Sequence, residues 1–224
     1  MRDADLRTAL LRGVAKQMGG RRHLLVPEVE IRWSIPARID ALMVADRITG
    51  FELKSAADSL GRLPRQIEAY SAVVERATLV LAQRHLEAGM KLAPAWWSIW
   101  VARENSDGAT MRRVRGGNLN PGINPLAVLS FMTRDALVAA LRELGHQDLS
   151  RLSIDELRAT LYNAVPRARL MRIAREAMLL RGDWHGRALL RAPGPFAQME
   201  EHENSELREA TVTGFPAVAR QGDR

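Results

Sequence analysis

ARIDALMVADRITGFELKS, residues 37–55, holds two apolar runs with acids set inside them. Residues 37–44 and 48–53 read as strands, and DRITG, residues 46–50, reads as the turn between them, which together is a hairpin signal. Asp40 lies in the first strand, and Glu52 and Lys54 lie at the end of the second. Residues two apart on a strand share a face, so Glu52 and Lys54 project together. The hairpin brings Asp40 alongside Glu52. Charge within apolar strands is expensive unless it is compensated or has a task. The competing reading is a plain ion pair on a sheet face.

Outward from this stretch, residues 3–18 carry Leu6, Leu10, Leu11 and Val14 at helical spacing, and Gly19-Gly20 ends the helix. Residues 23–33 form a first strand. A helix over 63–76 starts with Pro64 in its first turn and buries Ile67, Tyr70, Val73 and Val74. Strands over 77–82 and 96–102 follow. The fold class is therefore α/β: helix, three-stranded meander, helix, strand, with a C-terminal helical appendage. The core spans 1–104. A linker rich in Gly, Asn and Pro spans 105–125, with 111–115 as a basic strand or loop. The helical appendage spans 126–191. It has a helix over 126–144, one capped by Ser153 with Glu156 three residues on, and a basic one over 167–180. Residues 192–224 turn acidic (MEEHENSELRE) and are expected to be disordered.

The chain has no cysteine, which excludes disulfides, thiol nucleophiles, iron–sulfur clusters and thiolate zinc sites. Its five histidines are scattered without HxH or HExxH spacing, so no zinc is expected. A metal would rest on carboxylates, which favours Mg2+ or Mn2+. Net charge is +7 and the pI about 10.8, a balance that suits a polyanion, DNA above all. Only three of the basic residues are lysines, so Lys54 is an unusual choice. No stretch approaches the roughly 20 apolar residues of a membrane span. The first residues lack a secretory layout, and a cytoplasmic protein is expected.

Two carboxylates and an ammonium at one sheet end suit phosphodiester hydrolysis. Asp40 and Glu52 would hold one or two divalent ions, with the Leu53 carbonyl as a further ligand. Lys54 would orient the attacking water and steady charge on the phosphate.

The segment from Glu28 to Tyr70 resembles the PD-(D/E)XK nuclease superfamily, which includes restriction endonucleases and RecB-like nucleases. Asp40 and the Glu52-Leu53-Lys54 triplet stand where that motif stands. RLPRQIEAY places Gln66 and Tyr70 four apart on the next helix, like the QxxxY motif of the RecB-like branch. GFELKSAADSLGRLPRQIEAYS looks like a small bacterial and phage branch of it. One departure is Ile39 where the motif has proline. The resemblance implies a restriction-endonuclease-like core and a metal-dependent deoxyribonuclease. It makes Asp40, Glu52, Lys54 and Gln66 catalytic, and Asp40, Glu52, Leu53 and Glu28 metal-binding, with Glu30 competing with Glu28 for the additional acid.

Arg38 and Arg65 flank this site as candidate phosphate contacts, and Tyr70 is a third nucleic-acid candidate. Ser55 reads as a cap of the strand end. Trp96 and Trp97 point to opposite faces of a strand and read as core. His85 reads as structural. MTRDALVAALRELG and LSIDELRATL resemble a helix-extended-helix DNA-binding module of the SAP kind, a spacing shared by many helical bundles. Arg167, Arg169, Arg172 and Arg175 are candidates to track a phosphate backbone. A homodimer is left open.

Overall fold

The computed structural model describes residues 3–105 and 108–192. α1 (Asp3–Met18) is followed by β1 (His23–Ile31), β2 (Ala37–Val44), β3 (Ile48–Lys54), α2 (Leu63–Val73), β4 (Arg76–Ala82), α3 (Leu86–Leu92), β5 (Ser98–Asn105) and β6 (Gly108–Arg115). Then come α4 (Pro125–Val128), α5 (Arg134–Glu143), α6 (Ile154–Ala164), α7 (Arg167–Leu179), α8 (Gly182–His185) and β7 (Leu190–Ala192). The chain is α/β, as expected. Seven strands make one mixed sheet in the order β6-β5-β4-β3-β2-β1-β7. β3, β4 and β5 run parallel, and the other neighbours pair antiparallel.

The sheet separates two apolar layers. On one face α1 lays Leu6, Leu10, Val14 and Met18 over Leu25, Met43, Phe51, Leu53 and Val80. On the other face α2 and α4 to α7 share one core with β1 to β5, through residues such as Leu42, Tyr70, Leu79, Ile99, Leu137, Leu161 and Met178. β3 sits in the middle and is buried along its whole length, because both its faces are covered.

Several boundaries move. The first strand stops at Ile31, before Trp33. The second helix ends at Val73, and Arg76 already belongs to β4. Trp96 and Trp97 precede β5 instead of lying in it. Trp97 is nonetheless fully buried and stacks on Tyr70, with centroids 5.6 Å apart. Residues 105–125 are not simply a linker, because they contain β6, an edge strand. Its Arg112 and Arg113 face outward and Arg115 turns in to backbone carbonyls at Ala93, Pro94 and Trp97, so apolar periodicity could not reveal a strand. Nor are residues 126–191 an appendage. Their helices pack into the sheet's own core, and Arg175 of α7 donates to Glu75 beside β4 at 2.9 Å and 3.0 Å. β7 then closes the edge of β1. The disorder expected after residue 192 concerns residues outside those described.

Candidate functional site

The β2–β3 ladder runs from Val44↔Ile48 to Ala41↔Phe51 and stops there. Beyond that point the Asp40 side chain takes over, accepting a hydrogen bond from the Leu53 N–H at 2.8 Å. Glu52 and Lys54 lie on the face of β3 that α2 covers. Gly50 makes that cover possible: a Cβ there would sit 3.1 Å from the Tyr70 ring and 3.2 Å from Val74. α2 therefore lies close enough for Gln66 and Tyr70, four apart and on one helix face, to reach β3.

The four side chains form one buried network. Lys54 Nζ donates to Glu52 Oε1 at 2.6 Å and to Gln66 Oε1 at 3.0 Å. The Tyr70 hydroxyl donates to Glu52 Oε2 at 2.6 Å and accepts from the Asp40 N–H at 3.2 Å. Glu52 and Tyr70 have no exposed surface, and Lys54 has 5%. Burial, with the nearby Asp40 charge second, pushes the Glu52 carboxyl up to about 7 against the pull of Lys54 and Tyr70. Burial and the Glu52 charge hold the Tyr70 phenol well above its ordinary range.

The sequence-predicted residues divide accordingly. Asp40, Glu52, Lys54, Gln66 and Tyr70 are brought together. Leu53 contributes its N–H to Asp40 and turns its side chain to the α1 layer. Glu28 is on β1 with a left-handed φ of 52°, and its carboxylate lies 3.7 Å from both Arg7 and Arg38. Glu30 is paired with Arg32 at 2.6 Å on the surface. Tyr70 has no face left for a nucleic acid to touch, whereas Arg38 and Arg65 are exposed. Ser55 ends β3 in a turn closed by Asp58, which accepts from its N–H and its hydroxyl. His85 is buried, and its Nε2 has no hydrogen-bond partner among the described residues.

This donor set does not fit a divalent ion as it stands. Each Glu52 oxygen already accepts a short hydrogen bond, and one Asp40 oxygen is used by backbone. Among the described residues no three acids or histidines converge as a metal-holding group. Arg62 escaped the sequence reading. It is exposed at the N-terminus of α2, four residues before Gln66, and its signal was the RLPR run beside the motif helix.

Among the described residues no helix is long and apolar enough to cross a membrane. No solved structure matches the chain. The chain is 23% identical to "Protein cII" of Enterobacteria phage P4 over 171 residues, which cover 70% of this chain and 64% of that relative. The family model described as "Bacteriophage P4 protein cII" matches residues 2–193. These matches overturn the PD-(D/E)XK assignment, and with it the nuclease and the phosphodiester hydrolase. The mutual saturation of Glu52, Lys54, Tyr70 and Gln66 gives a physical reason: a short D…ExK spacing also arises where a buried carboxylate needs a buried cation. The chain belongs to the bacteriophage P4 protein cII family.

Proposed function

We propose that the protein binds duplex DNA through its phosphate backbone and leaves it uncut. The observation that carries this reading is the unneutralised charge at the start of α2. Arg62 and Arg65 are exposed, neither makes an ion pair with another described residue, and the first turn holds no acid. Arg38, also exposed, lies at the start of β2, whose backbone carbonyl is 3.4 Å from the Tyr70 hydroxyl on the same helix. The backbones of all three arginines thus lie beside residues of the buried network, while the Arg38 guanidinium also reaches to 3.7 Å from Glu28. The wider charge supports it. Residues 193–224 hold six acids and three arginines, so residues 1–192 carry a net charge of +10. Such a body attracts a polyanion and releases its counterions on binding. The buried network then acts as a brace, fixing α2 against β3 so that Arg62 and Arg65 present from a rigid element.

Fluorescence anisotropy with a labelled duplex tests this. The double substitution Arg62→Ala with Arg65→Ala should weaken binding similarly on unrelated sequences and flatten the slope of log K against log salt by about 2, roughly one per lost phosphate contact. An unchanged slope in a folded double variant would overturn the placement.

A further inference from the structure

α5 and α7 leave a groove of about 620 Å³ between them. Its floor is Ala136, Ala140, Ile173 and Ala177, and Leu180, 68% exposed, stands at one end. Small residues of this kind let another chain approach closely, and an exposed leucine beside them is apolar surface without a cover. The rim is polarised. On the α7 side Arg169 and Arg172 are exposed and make no ion pair with a described residue. On the α5 side stand Asp135 and Glu143. The remaining rim charges are already paired, Glu176 with Arg22 and Arg181 with Asp183, both at 2.7 Å.

We infer that this groove is the docking site for the chain's own segment 196–210, FAQMEEHENSELREA. The path is short. β7 ends at Ala192, paired with His23, and the adjacent Arg22 is the residue that reaches Glu176 on the groove rim. From Ala192 to Phe196 an extended chain covers up to about 13 Å. The chemistry is complementary. Phe196 and Met199, with Leu207 further on, supply apolar side chains for the floor, and five glutamates lie between residues 200 and 209. Those glutamates face the free Arg169 and Arg172, while Asp135 and Glu143 repel them from the opposite rim and leave that side to Arg208. The tether raises the effective concentration of the segment at the groove, so modest contacts suffice. The family model matches residues 2–193, so the segment lies outside the matched region. The inference does not depend on DNA binding.

The absence of cysteine provides the test. In the full-length protein, Ala139→Cys, an exposed position on the groove, is compared with Lys16→Cys, exposed on α1, for alkylation by a maleimide. Docking should slow the reaction at position 139 at least about tenfold relative to position 16, as for a segment seated about nine-tenths of the time. Replacing Glu200, Glu201, Glu203, Glu206 and Glu209 with glutamine, or raising salt, should restore the fast rate. Leu180→Cys provides a second groove position that should behave alike. Equal rates at positions 139 and 16 would overturn the inference. So would protection that grows with protein concentration, which would place a second copy's segment in the groove.

Discussion

Glu52 is a carboxyl with no exposed surface, and its two hydrogen bonds, of which the one from Lys54 is also an ion pair, do not fully offset the loss of water. Its folded-state pKa, about 7, stands above the ordinary 4.5. The protonated form is therefore favoured by folding. The stabilisation from this group is complete below pH 4.5 and is lost as pH rises through about 7. At about 1.4 kcal/mol per pKa unit the change is on the order of 3 kcal/mol. Urea unfolding of Glu52→Gln at pH 4.5 and at pH 7.5 should show this much less pH dependence than the unaltered protein. An unaltered pH dependence would mean that Glu52 does not titrate this way. Tyr70→Phe removes the hydroxyl that serves both Glu52 and the Asp40 N–H, and should cost about 1–3 kcal/mol in the same measurement. A loss below about 0.5 kcal/mol would show that the hydroxyl is not structural. At this scale the sequence was informative about position. Spacing alone placed Glu52 beside Lys54, and the hairpin placed Asp40 near both. It was not informative about state. Only tertiary packing decides that Tyr70 has no open face and that Lys54 spends its charge on Glu52.

The helix that completes the network depends on one residue of β3. At Gly50 an added Cβ would press on the Tyr70 ring and Val74, which belong to α2 and its end and cannot move independently. Gly50→Ala should destabilise by about 1–3 kcal/mol through overpacking. It should also shift the near-ultraviolet circular dichroism of the Tyr70–Trp97 stack. A neutral substitution would mean that α2 rides further from the sheet. The elements legible in the sequence were those with a clean period: α1, the β2–β3 hairpin, α2 and β4. β6 was read only as a basic strand or loop because its identity comes from pairing with β5, and its side chains are mostly arginine, threonine and methionine. β7 is three residues long and exists because β1 offers it an edge.

Across the whole molecule, the apparent division into a core and a helical appendage disappears. α4 to α7 close the same apolar layer that α2 begins, and the Arg175–Glu75 pair ties the last long helix to the sheet. Arg175 is therefore spent internally and is removed from the set of candidate phosphate contacts. Residues 1–192 carry a net charge of +10, against an acidic segment that follows. Composition suggests a polyanion without giving its place, because an arginine committed to a buried glutamate looks in sequence like one facing solvent. The short acidic motif misled for a related reason: the same three residues serve a metal or brace a sheet, and spacing does not distinguish them. The most direct measurement is the affinity of the full-length protein for a duplex across a salt series with a divalent-ion chelator present, followed by recovery of the DNA. The expected result is binding that weakens steadily as salt rises, as counterion release demands, with the duplex recovered intact. Affinity that does not respond to salt, or no binding at about 0.05 M salt, would contradict the proposal.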